Sequence, residues 1–196
     1  NFQLLSDHEF NNRWKMNIGL HYTKGDGYYQ EYKSDRKLIE YALQPFTIDG
    51  NETKRSDLVR KKAMDNHFGG AVFSFNYRNE RLSASMGGGA NRYFGRHFGH
   101  VLWVKNYIGE LAPNHEYYRN RGAKNDANIY MKADYCIAGK VNIYADLQYR
   151  HIRYKIDGYN DKWNSATNSL QRLDVDEQFN FFNPKAGVSW KIDSRN

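Results

Sequence analysis

The sequence predicts an all-β fold, an antiparallel up-and-down segment of a transmembrane β-barrel with about seven strands and long extracellular loops. Three observations predict it. Apolar side chains recur at every second position in several stretches of roughly ten residues, the length of strand that crosses a bilayer when tilted. The connections between those stretches alternate short and long, as between the two rims of a membrane barrel. No apolar run approaches the ~20 residues of a spanning helix.

Phe2, Leu4, Ser6, His8 and Phe10 give a weak first strand, and Asn11-Asn12-Arg13 a turn. Trp14, Met16, Ile18, Leu20 and Tyr22 then alternate with Lys15, Asn17, Gly19, His21 and Thr23. A long connection is expected from Lys24 to about Asn66. It carries helical spacing at Leu38, Ile39, Ala42 and Leu43, with Ser34 as N-cap and Pro45 as stop. Ala71, Phe73, Phe75 and Tyr77 form the next strand, followed by a tight turn at Arg78-Asn79-Glu80-Arg81 and a strand through Leu82, Ala84 and Met86. A second long connection runs from Gly88 to about Asn125.

The clearest pattern lies between Asp126 and Tyr154. Ala127, Ile129, Met131, Ala133, Tyr135 and Ile137 fall on one face, as do Val141, Ile143, Ala145, Leu147 and Tyr149 after a turn at Ala138-Gly139-Lys140. An odd loop of three matches the apolar faces across the hairpin and sets Lys132 opposite Asp146, an expected cross-strand ion pair. A third long connection, from Lys155 to about Asn183, leads to a final strand from Lys185 to Asp193, and Asp193-Ser194-Arg195-Asn196 reads as a turn leading onward. Trp14, Tyr77, Tyr135 and Trp190 fall near the short-turn end of the apolar face, and Tyr22 and Tyr149 near the other, as interfacial girdles require.

Composition agrees. A mean hydropathy of −0.91 is low for a packed soluble core, yet 16% aromatic residues is far too many for a disordered chain. A barrel wall, with half of each strand facing water, reconciles the two. The net charge of +7 is spread among interspersed acids, which argues against a nucleic-acid partner. Cys136 is alone, so neither a disulfide framework nor a cysteine metal cluster arises. The chain opens without Met, basic n-region or apolar h-region, so any export signal is expected outside it. A soluble β-sandwich binding carbohydrate, or a small passive outer-membrane barrel or adhesin, would share part of this pattern.

Several stretches also resemble one family. Ser56 to Lys62 leads into Asp65-Asn66-His67-Phe68-Gly69-Gly70; Gly87 to Trp103 is rich in Gly, aromatics and Arg; Phe179-Asn180-Phe181-Phe182-Asn183-Pro184-Lys185-Ala186-Gly187 opens the last strand, and Gly25-Asp26-Gly27-Tyr28-Tyr29 follows an earlier one. These are similar to the barrel domain of TonB-dependent outer-membrane receptors of the Bacteroidetes type. The resemblance implies that residues 1–196 are part of one barrel domain of about 22 strands, without the plug domain or the box that contacts TonB. It implies a place in the cell outer membrane, in contact with lipid. It also implies import of a scarce extracellular nutrient (ferric siderophore, haem, cobalamin or oligosaccharide), with TonB and the plug engaged through the rest of the polypeptide.

Ligand contacts are expected from the loops and the lumen: Tyr28, Tyr29, Tyr93, Tyr159 and Trp163 for stacking, and Arg92, Arg96, Arg119 and Arg121 for an anionic solute. His97 and His100 are further candidates, although two His are too few to hold a metal, and no metal or cofactor is expected. Gly87-Gly88-Gly89 lacks the Lys-Ser or Lys-Thr of a phosphate loop. Asp174, Asp176 and Glu177, and Asp157, Asn160 and Asp161, read as solvated loop acids rather than a calcium site. No nucleophile stands with a base and an orienting partner, so the chain is not read as an enzyme.

Overall fold

In a computed structural model, which describes residues 1–192, six long strands and a shorter first one form a single antiparallel sheet. They are β1 (Phe2–Asn11), β2 (Trp14–Lys37), β5 (Arg55–Arg78), β6 (Leu82–Val104), β7 (His115–Ile137), β8 (Val141–Asn164) and β9 (Ser169–Trp190), paired in that order. A small hairpin, β3 (Phe46–Ile48) with β4 (Asn51–Thr53), stands apart. This is the up-and-down sheet of a β-barrel segment. Among the described residues no helix is long and apolar enough to cross a membrane. The Asp193 to Asn196 turn lies outside the described residues.

Register puts the alternation to use. Met16, Phe75, Met86, Met131, Leu147 and Pro184 pair side by side as one continuous row across six strands. Two residues along, Ile18, Phe73, Gly88, Ile129, Tyr149 and Phe182 form the next. Between them, on the opposite face, lies Asn17, Ser74, Gly87, Tyr130, Gln148 and Asn183. There Asn17 Nδ2 donates to Ser74 Oγ at 2.9 Å and Ser85 Oγ to Asn76 Oδ1 at 2.7 Å. The apolar face has no second layer over it: Ile143 is 42% exposed and Leu147 43%. A sandwich would bury both residues.

The sheet curls toward its polar face. Lys62 on β5 reaches Asp161 on β8 at 2.8 Å, over two intervening strands. Three strand spacings on a flat sheet would separate their backbones by roughly 14 Å, too far for these side chains to meet. The apolar rows are therefore convex and the hydrogen-bonded rows concave. The short turns are staggered, since Leu82 pairs with Tyr135 rather than with Ile137, as strand tilt in a barrel requires. β1 and β9 remain the two open edges.

The expected hairpin forms with the expected register. Ile137 pairs with Val141, and Ala138 and Gly139 take positive φ (49° and 69°). Lys132 does face Asp146, but no ion pair forms; Asp146 accepts from Tyr144 Oη at 2.9 Å instead. The larger correction concerns the loops. Most of each expected long connection is strand, because the ladders continue well above the apolar band: Lys24 pairs with His67, Phe98 with Arg119 and Lys155 with Asp176. The true connections are residues 38–54, 105–114 and 165–168. The expected helix is a single 3-10 turn, Leu38–Tyr41, entered from Lys37 with no side-chain cap; Ser34 lies in β2 and does not cap it.

Above the concave face a small dry core holds these connections. Leu38, Tyr41, Leu43 and Phe46 pack on Leu58, Val101, Val104, Tyr117 and Tyr118. His115 Nε2 lies 2.9 Å from the Tyr41 carbonyl oxygen.

Candidate functional site

Carrying the alternation upward from the apolar band decides which side chains can meet. On β2 the odd positions are concave, on β5 the even, on β6 the odd, and on β7 and β8 the even. Tyr29, Lys62, Met64, His97, Tyr118 and Asn120 therefore share one wall. A β-bulge between Tyr159 and Trp163 brings Asn160 and Asp161 beside them. Together they line a pocket of about 490 Å³ beneath the dry core.

Another bulge, opposite Gly99/His100, leaves Tyr117 unpaired and turns it to the same side as Tyr118. The two rings meet edge to face at 5.0 Å. Gly99 faces them, and a Cβ there would run into both rings, so glycine is what lets β6 pass under the tyrosines. Gly87 serves lower down in the same way: a Cβ would come within 2.6 Å of the Tyr130 hydroxyl.

The polar part of the site is a charge-balanced network. Arg60, only 13% exposed, donates from Nε to Glu31 Oε1 at 2.7 Å, and from an η nitrogen to Asp161 at 3.3 Å and to the Tyr117 hydroxyl at 3.4 Å. Lys62 donates to the same Asp161, and its Nζ stands 5.9 Å from the ring centres of both Tyr29 and Tyr118. Burial raises the Asp161 carboxyl, but the Lys62 hydrogen bond and the charges of Lys62 and Arg60 outweigh it and hold it below its ordinary value. Glu31 is lowered in the same way, burial being outweighed by Lys33 and Arg60. Burial pushes the Tyr117 and Tyr118 phenols up, so both stay protonated donors at neutral pH. The site thus offers ring faces, hydroxyls and amides, with its cations already answered by carboxylates. Such a set of groups suits the binding of a solute.

The structure divides the sequence-predicted residues between two faces. Tyr29 and His97 line the pocket. Tyr93 is concave but lower, its hydroxyl over Gly95. Trp163 pairs with Leu170, which packs against the dry core. Tyr28 touches the pocket rim, while its ring lies under Lys61 Nζ at 4.1 Å on the convex side. Arg92, Arg96, Arg119, Arg121, His100 and Tyr159 are all convex. Arg96 is ion-paired to Asp65, Arg119 to Glu116, and the Tyr159 ring lies 5.5 Å from the Arg172 guanidinium. His97 and His100, three apart on a strand, face opposite ways and cannot share a metal. Within the two acidic groups, cations answer Asp176 (Arg153 and Lys155), Asp157 (Arg172) and Asp161 (Lys62 and Arg60). Lys62, Met64 and Asn120 escaped the sequence reading, although the odd-even count continued through them would have found their face.

No family model matches the chain, and no curated protein matches it by sequence. Among solved structures it is similar to the ferric-catecholate import receptor Fiu from E. coli K12 in its open form, with a TM-score of 0.57 at 11% identity. The match covers 98% of this chain and 33% of that receptor. At this identity the likeness shows the fold alone, and the chain spans about a third of the length of the receptor it matches.

Proposed function

We propose that this chain is part of the wall of a TonB-dependent receptor in the cell outer membrane, binding a scarce extracellular solute on its concave side for import. The plug and the contact with TonB come from the rest of the polypeptide, and import follows plug displacement driven from the inner membrane. One observation carries the reading: apolar rows on the convex face and hydrogen-bonded rows on the concave face run unbroken through a single curled layer. Such a layer needs hydrocarbon on one side and water on the other. The similarity to an import receptor supports the same reading.

Within it, the pocket of Tyr29, Lys62, His97, Tyr118 and Asp161 is the solute contact, because rings and donors converge there on the lumen side. Binding is tested on the full polypeptide in detergent, by fluorescence titration with a ferric catecholate chelate, haemin, cobalamin and a set of oligosaccharides. One of these is expected to bind, and Tyr118→Ala and Lys62→Ala each to weaken it about tenfold, or ~1.4 kcal/mol. Arg92→Ala, on the convex face, leaves it unchanged. Sensitivity to Arg92 with indifference to Lys62 and Tyr118 would move the contact elsewhere.

A further inference from the structure

We infer that the upper concave side of β8 and β9 is a second solute contact, an apolar wall that takes an uncharged, ring-bearing group of the solute. The inference rests on the reading of the concave side as the solute's side. It adds to the pocket of Tyr29, Lys62 and Tyr118 a neighbouring surface of different chemistry.

Alternation is the first argument. Up to Tyr149 the apolar positions of β8 are convex, and above it the sides exchange. Ile152, Tyr154 and Ile156 are concave, paired with Asp126, Lys124 and Gly122 on β7 and with Phe179, Glu177 and Val175 on β9. Leu173, opposite Gly158, extends the same set upward. The convex positions between them are Arg153, Lys155 and Asp157 on β8, and Arg172, Asp174, Asp176 and Gln178 on β9. Water outside accounts for that polar side but not for the apolar one, where Tyr154 is 38% exposed and Phe179 46%. Residues 38–54 cover Leu58 and Val101 farther round the wall, whereas β8 and β9 are joined by residues 165–168 alone, too few to fold back over it. An uncovered apolar patch of this kind marks a binding surface.

Shape and charge choose the occupant. From Leu173 to Phe179 the patch is roughly 20 Å long, at about 3.3 Å per residue. Gly95 and Gly122 stand beside Ile156 in its row, and a Cβ at Gly122 would meet nothing within 4 Å. That recess gives a flat ring a place against the Ile156 side chain, held by burial of apolar area. The charges at its border do not call for an anion. Lys124 Nζ stands 3.3 Å from Asp126, which also accepts from Arg150 Nε at 2.8 Å, and among the described residues Glu177 has no cation within 4 Å. An anionic group would meet a free carboxylate there, and an uncharged one meets no such penalty. The patch also continues into the pocket, since Leu173 and Gly158 share a row with Asn120 and His97. One solute can thus hold its hydrogen-bonding part in the pocket and its apolar part on the wall.

The test is photolabelling of the full polypeptide in nanodiscs with two probes: benzophenone carrying a triethylene glycol chain and, as its anionic counterpart, benzophenone sulfonate. Labelled residues are located by mass spectrometry. The uncharged probe is expected to label residues 152–156 and 173–179 about tenfold more than the sulfonate does. Ile156→Asn with Val175→Asn should remove most of that label, and so should Gly122→Leu, which fills the recess without altering the wall. Lys155→Gln with Asp174→Asn, on the convex side of the same strands, should leave it unchanged. Heat-modifiable migration on gels checks that each variant is folded. Equal labelling by the two probes, or label indifferent to both the Asn pair and Gly122→Leu, overturns the inference. So does label at Tyr29 and Tyr118 with none on the wall, the result expected if the rest of the polypeptide covers it, and in that case the pocket stands. Label confined to the convex rows, with neither pocket nor wall reached, defeats the concave solute contact as a whole.

Discussion

Asp161 shows how far one residue organises the upper lumen. It answers two cations from a strand three positions away, Lys62 at 2.8 Å and Arg60 at 3.3 Å, and so ties β8 to β5 across the concave face. Partly exposed pairs of this kind contribute about 1 kcal/mol, enough to hold a rim and too little to hold a fold. Their pH dependence has a definite sign. The carboxyls of Asp161 and Glu31 are held below their ordinary values of 3.8 and 4.5, so their contribution is complete above about pH 5 and fades as pH falls through the lowered values. Protease nicking of residues 38–54 should therefore stay constant from pH 8 to pH 5 and accelerate below pH 4. Asp161→Asn should raise the rate severalfold at pH 7 and flatten its acid limb. Acceleration already between pH 7 and pH 6 would assign the tie to a histidine instead.

At the scale of the strand, the facing assigned to β8 predicts unequal tolerance at neighbouring positions. Leu147 sits in a convex row between Met131 and Pro184, and Gln148 in the concave row between Tyr130 and Asn183. Leu147→Arg should reduce folded protein in the outer membrane, at a cost of ~2–4 kcal/mol near mid-bilayer, and Gln148→Arg should be well tolerated. Heat-modifiable migration of the folded barrel on gels reads both. The lower half of each strand was legible because one face is apolar and the other polar, so hydropathy reports the period of two. The upper half was not. There, on β2, β6 and β7, Lys24, Asp26 and Arg96 alternate with Tyr29, His97 and Asn120, both faces meet water, and the period vanishes from the hydropathy although the ladder continues. Glycine misled as well: Gly87, Gly95 and Gly99 punctuate a sequence like a loop, but in β6 they make room for Tyr130, Tyr93 and the Tyr117–Tyr118 pair. The helical spacing at Leu38 to Leu43 produced one 3-10 turn, since what those residues share is burial in the cap rather than one side of a helix.

At the scale of the molecule, one curled layer with two open edges does not bury its own apolar surface. The buried residues gather at one end, under residues 38–54 and beside Tyr117 and Tyr118, while Val188 and Trp190 on β9 are 72% and 67% exposed. Something else must cover the convex rows; under the proposed function that is hydrocarbon, with solute-bearing water on the concave side. The same division moves the anionic-solute arginines: expected in loops, Arg92, Arg96, Arg119 and Arg121 stand on strands above the band and on the outer side of the wall. The most direct measurement is a scan of single spin labels at positions 143 to 148 in bilayers, with Cys136 replaced, comparing relaxation by oxygen with relaxation by a water-soluble nickel chelate. Oxygen should dominate at Ile143, Ala145 and Leu147 and the chelate at Tyr144, Asp146 and Gln148, the two profiles out of phase along the strand. Profiles in phase with each other, or chelate access at Leu147 equal to that at Gln148, would contradict a wall between lipid and lumen.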